Sequence, residues 1–247
     1  SWNVSDPESD IVSSSGCNTT ILMTETDGTT LTCSATNGAD LSSSASVTVK
    51  IDKTPPYISV VTYTPAANPS GWNNTDVNLS YTCADALSGV ASCPSTQTIT
   101  AEGIQSVTVT TTDVAGNTAT YTHEVKIDKT PPIVACSANP NSLWPPNHKM
   151  VNVTASVTVS DSISGPTGFT LTSVTSNEPD EGLGDGDFPN DIQGWIIGTA
   201  DNVGSLRAER SGLGTGRIYT LSYKGMDVAG NSAACSVTVK VPHDQRK

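Results

Sequence analysis

Apolar and polar residues alternate with a period of two along much of the chain. Val77-Asn78-Leu79-Ser80-Tyr81-Thr82-Cys83, Ser106 to Thr112, Ala119 to Val125 and Val151 to Ser160 all follow this pattern. Such alternation buries one face of an extended segment and wets the other, and so predicts half-buried β-strands. Gly, Pro, Asn and Asp punctuate the runs. Asp113-Val114-Ala115-Gly116-Asn117 stands between two of them and returns as Asp227-Val228-Ala229-Gly230-Asn231. Each predicts a hairpin, with Gly supplying positive φ and Asp and Asn bonding back to local backbone. About seven short strands between residues 54 and 130 fit a two-sheet sandwich.

The pattern is duplicated. Val49-Lys50-Ile51-Asp52-Lys53-Thr54-Pro55-Pro56 recurs 76 residues later as Val125-Lys126-Ile127-Asp128-Lys129-Thr130-Pro131-Pro132. A fixed period with a diproline after a β run marks a unit copied end to end. Three domains are expected: a partial one over 1–53, a second over 54–130, and a larger third over 131–247 with an acidic insertion at 177–193. In the first, Trp2-Asn3-Val4-Ser5-Asp6 matches Tyr81-Thr82-Cys83-Ala84-Asp85. The counterpart of Tyr57 to Ser80 would precede Ser1, so a fragment or processed form is expected. An incomplete sheet invites self-association by strand addition. Proline at the joints fixes φ and removes donors, so semi-rigid joints and an elongated array are expected.

Charge and cysteine content narrow the setting. The formal net charge is −12, from 24 acidic and 12 basic residues. This disfavours nucleic acid and anionic lipid and suits divalent cations. No apolar run approaches the roughly 20 residues of a membrane helix, so no membrane insertion is expected. Six cysteines in a β-rich chain read as three bridges in an oxidising compartment. Six allow 15 connectivities; locality favours Cys17–Cys33, Cys83–Cys93 and Cys136–Cys235. A secreted or cell-surface location follows.

Gly71-Trp72-Asn73-Asn74-Thr75-Asp76-Val77, Cys83-Ala84-Asp85-Ala86-Leu87-Ser88-Gly89-Val90, Asp113 to Asn117 and Asp128-Lys129-Thr130-Pro131-Pro132 together resemble tandem bacterial immunoglobulin-like repeats. The third repeat, with Leu143-Trp144-Pro145-Pro146-Asn147-His148-Lys149-Met150-Val151 and the closing Val241-Pro242-His243-Asp244, resembles a related module placed after such repeats. The resemblance implies an all-β fold of tandem immunoglobulin-like sandwiches. It also implies a large secreted or surface-anchored parent, such as an adhesin or an extracellular glycoside hydrolase with accessory regions. It fixes scaffold turns and leaves activity open.

Several constellations carry candidate chemistry. Glu178, Asp180, Asp185, Asp187, Asn190 and Asp191 crowd oxygen donors among glycines, which suits calcium; a solvated acidic loop is the alternative. Asp6-Pro7-Glu8-Ser9-Asp10 is a second acidic turn, read chiefly as solvated, and Asp113 and Asp227 are read chiefly as turn caps. Trp72, Trp144 and Trp195 are candidate glycan platforms, or else caps over thin cores. Catalysis lacks its parts: His123, His148 and His243 are scattered, and no G-x-S-x-G is present. The expected function is a noncatalytic, calcium-stabilised extracellular structural or adhesion rod. The alternatives are a carbohydrate-binding accessory module and a self-assembling fibre subunit. A polysaccharide or cell-surface ligand is the expected partner.

Overall fold

The computed structural model describes residues 1–181 and 188–244. Among these residues the chain forms sixteen strands and no helix, so no helix is long and apolar enough to cross a membrane. The fold is all-β and of the sandwich type.

The first sheet joins β1 (Ile11–Ser15), β2 (Thr26–Asn37) and β3 (Ser42–Ile51) in the order β1-β2-β3. The 76-residue period reappears in its strands. Next come β4 (Tyr57–Thr64), β5 (Val77–Ala84), β6 (Val90–Ser92), β7 (Gln97–Ile99), β8 (Gly103–Asp113) and β9 (Thr118–Ile127). They form two sheets, β4-β5-β7 and β6-β8-β9. The second of these matches β1-β2-β3 strand for strand, and β9 is β3 displaced by one period. The first repeat has no counterpart of β4-β5-β7 among the described residues, and residues 1–8 form no strand. Burial shows the consequence. Cys33 is the first repeat's one buried apolar side chain among the described residues, while Leu41 and Val47 stay exposed.

The remaining strands are β10 (Ile133–Asn139), β11 (Met150–Ser160), β12 (Pro166–Ser176), β13 (Ile192–Gln193), β14 (Val203–Arg207), β15 (Gly216–Asp227) and β16 (Ser232–Pro242). One sheet runs β10-β11-β14-β13, the other β12-β15-β16. Their inward positions form one core of Leu143, Val153, Leu171, Leu206, Tyr219, Leu221, Tyr223, Val239 and Val241. Each buried leucine contributes roughly 1.5–3 kcal/mol. Gly225 lets the layers approach closely: a Cβ there would meet Val134 Cγ2 at 2.6 Å and Val159 Cγ2 at 2.9 Å.

Disulfides join Cys17 to Cys33, Cys83 to Cys93, and Cys136 to Cys235. The last links β10 to β16 and so ties the two sheets of the third repeat.

By packing, the chain divides into two compact units. One holds Ser1–Tyr63, Asn78–Gln97 and Ser106–His123; the other holds Thr64–Val77, Thr98–Gln105 and Glu124–Lys247. The division passes through the second repeat, so each diproline joint lies inside one unit.

Candidate metal centres at the repeat joints

The hairpin turns come first. In Asp113 to Asn117, Asp113 N donates to Asn117 O at 3.1 Å and Gly116 takes φ +95°. Asn117 N returns to Asp113 Oδ1 at 2.8 Å, and Asn117 Nδ2 donates to Asp113 Oδ2 at 2.8 Å. The same amide also reaches the main-chain carbonyl of Asp52 at 3.2 Å, in the joint that ends the first repeat.

A third acid joins from the crossover after β5. Asp85 Oδ1 accepts from Leu87 N (3.2 Å) and Gly89 N (2.7 Å), a tight local turn. Next to it, Ser88 N donates to Asp52 Oδ2 at 2.9 Å and Thr54 N to Asp52 Oδ1 at 3.0 Å. Carboxylate oxygens of Asp52, Asp85 and Asp113 therefore converge within 4.8 Å of one another. The Ser88 side chain is the chief cause that holds the Asp52 carboxyl below the usual carboxylate range; burial opposes it, and the Ser88 and Thr54 N–H groups add to the lowering.

The other unit holds the same arrangement. Asp128, Asp161 and Asp227 converge within 4.8 Å. Ile163 N and Gly165 N donate to Asp161 Oδ1, Ser164 N to Asp128 Oδ2, and Thr130 N to Asp128 Oδ1. Asn231 N caps Asp227 Oδ1 at 2.8 Å, and Asn231 Nδ2 bridges Asp227 Oδ2 (2.9 Å) and Asp128 O (2.8 Å). Asp128 and Asp227 are buried, as is Asp113 in the first cluster.

Among the described residues, none of these six carboxylates has an ion-pair partner. Three like charges about 5 Å apart repel by roughly 3 kcal/mol per pair at an effective dielectric constant of about 20. The donor set is all hard oxygen, the chemistry of calcium rather than of zinc or copper. Three carboxylates offer up to six oxygens, oriented in advance by the N–H groups behind them. The residues present fit a calcium ion.

The first repeat provides an internal contrast. Asn37 stands one period before Asp113, and its Nδ2 donates to Asp6 Oδ2 at 2.8 Å. An amide there satisfies Asp6 directly, with Glu8 N and Ser9 N on Oδ1. That hydrogen bond to Asn37 is the chief cause of a lowered Asp6 pKa. No three-carboxylate group forms there among the described residues.

Comparison with solved structures gives distant likenesses. The chain is similar to the fibronectin(III)-like modules of Clostridium thermocellum CbhA at 16% identity and TM-score 0.31, covering 76% of this chain and 97% of that one. Extracellular cadherin domains 1–5 of protocadherin gamma B2 match at 16% identity and TM-score 0.35, over 89% of this chain and 46% of that one. Protocadherin gammaB7 EC3-6, a cis-dimer structure, matches at 12% identity and TM-score 0.34 over 85% and 56%. This chain thus spans about half the length of the protocadherin chains. No family model matches. No curated protein matches either. At such scores no residue role is carried across from any of them.

Of the six expected calcium ligands in the acidic insertion, Glu178, Asp180, Asn190 and Asp191 lie among the described residues. Asp191 Oδ1 pairs with Arg207 Nε at 3.0 Å, and its Oδ2 meets Arg217 Nη1. Glu178 Oε2 accepts from Ser211 N (2.8 Å) and Arg217 Nε (3.3 Å). Two guanidinium groups thus stand against Glu178 and Asp191. Asp180 is spent on backbone, accepting from Asn190 N (2.9 Å) and Asp191 N (2.8 Å), with Asn190 at φ +64°. Asp185 and Asp187 lie outside the described residues. The three tryptophans also separate. Trp72 and Trp195 are half-buried, and Trp195 packs on the third repeat's core. Trp144 is 45% exposed.

Proposed function

We propose that the chain is a noncatalytic extracellular structural or adhesion array whose repeat joints are held by calcium. The observation that supports this reading most is the duplication of one unneutralised three-aspartate cluster, once at each diproline joint. In each copy one acid belongs to the joint (Asp52, Asp128), one to the crossover turn (Asp85, Asp161) and one to the hairpin (Asp113, Asp227).

When bound, calcium would supply the positive charge that the three carboxylates lack. The chain's own residues do the rest. Asn117 and Asn231 each grip a hairpin carboxylate and the joint backbone with one amide, which orients both toward the same point. The N–H groups of Ser88 and Ser164 hold the joint carboxylate against the crossover turn. Without a cation, repulsion among the three acids favours release of the joint aspartate. A ligand that binds only the folded arrangement stabilises it by about 2.7 kcal/mol at a hundredfold excess over its dissociation constant. Disulfides in every repeat suit an oxidising, extracellular setting.

Isothermal titration of the full chain with calcium chloride tests this. Two sites are expected, with one lost in Asp113→Asn, one in Asp227→Asn and both in the double variant. Heats unchanged by both substitutions would refute the assignment.

A further inference from the structure

In the third repeat an open groove of about 530 Å³ runs beside the exposed Trp144. Pro140 and Pro145 extend its apolar floor, and Asn147, Lys149 and Asn152 stand along it. The Ser205 hydroxyl occupies Asn152 Oδ1 at 2.8 Å, which leaves the Asn152 amide N–H groups to donate. Asn147 is set the same way, because Lys149 N occupies its Oδ1 at 3.2 Å. The groove therefore presents an indole, two amide donors and one ammonium group.

Among the described residues no Asp or Glu lines it. In a chain of net charge −12, Lys149 is the one charged side chain among the groove's described lining residues. Lys149 forms no ion pair among the described residues. An aromatic face accepts the C–H face of a pyranose ring, amide N–H groups bond hydroxyl oxygens, and an unpaired ammonium selects a carboxylate. A neutral sugar would leave the ammonium unused, and an acidic peptide would leave the indole platform without a flat partner.

We propose that the Trp144 groove binds an acidic polysaccharide, with a uronate ring stacked on Trp144 and its carboxylate paired to Lys149. Asn147 and Asn152 donate to the ring hydroxyls. This site is independent of the calcium reading, since it shares no residue with the clusters.

The test titrates the full chain with short oligogalacturonates, and separately with their carboxyl-reduced neutral counterparts, in chelator-containing buffer. Binding of the acidic oligomers is expected, about tenfold weaker in Trp144→Ala and severalfold weaker in Lys149→Met. Asn152→Ala, an exposed substitution that preserves the core, should also weaken binding. No binding of oligogalacturonate overturns the proposal, as does equal binding of the neutral oligomers. Unchanged affinity in both Trp144→Ala and Lys149→Met would overturn it too.

Discussion

Asn231 donates its side-chain amide to the main-chain carbonyl of Asp128 at 2.8 Å, across 103 residues of sequence. The same nitrogen holds Asp227 Oδ2 at 2.9 Å, so one amide couples a hairpin to the joint that precedes its repeat. Asn231→Ala should cost about 1–2 kcal/mol by leaving a buried carboxylate and carbonyl short of a donor. It should also weaken calcium at that cluster while leaving the Asp113 cluster intact. Urea unfolding together with calcium titration checks both effects.

Arg217 is fully buried between Glu178, Asp191 and the Tyr219 hydroxyl. Arg217→Met removes the guanidinium and leaves two buried carboxylates with less compensation. A loss of about 3–5 kcal/mol is expected, read from the midpoint of denaturant unfolding. Added calcium should not restore it, because those acids serve an arginine pair rather than an ion.

Tyr223 is buried, and its hydroxyl has no hydrogen-bond partner among the described residues. Burial first, and Asp201 second, push its pKa up to about 12. Tyr223→Phe removes a desolvated hydroxyl and keeps the ring against Phe169. It should therefore be neutral or stabilising by up to about 1 kcal/mol, checked by thermal unfolding.

Acid should weaken the fold in two steps. Burial lowers the His123 pKa, with Tyr63, Tyr81 and Tyr121 around the ring. Its contribution is full above the unfolded value of about 6.5 and is lost as pH falls from there through the folded pKa. His123→Phe should flatten that limb. Asp52, also lowered, contributes fully above about pH 4 and loses its share as pH falls through its folded pKa. A pH series of unfolding midpoints separates the two.

Strands β5, β8, β9 and β11 were legible in the alternation, because the side-chain period of two is set by the pleat alone. The hairpin turns were legible too, since only Gly tolerates their positive φ cheaply. The joint clusters were not. Asp113 and Asp227 read as turn caps, which they are, and nothing local says that Asp52 and Asp85 meet them. The signal was in the repeat: Asp52 recurs at Asp128 and Asp85 at Asp161 with one period, whereas Asp113 recurs at Asp227 later than one period, in the longer third repeat. In the acidic run at 177–193, local density did not reveal that Glu178 and Asp191 pair with Arg207 and Arg217. Long-range charge pairing leaves no mark in local composition.

Thermal unfolding of the full chain in excess calcium and in excess chelator is the most direct test of the joint clusters. The midpoint should rise by several degrees in calcium, by about half as much in Asp113→Asn or Asp227→Asn, and not at all in the double variant. Superimposable curves for the unmodified chain in the two buffers would contradict calcium as the agent that holds the joints.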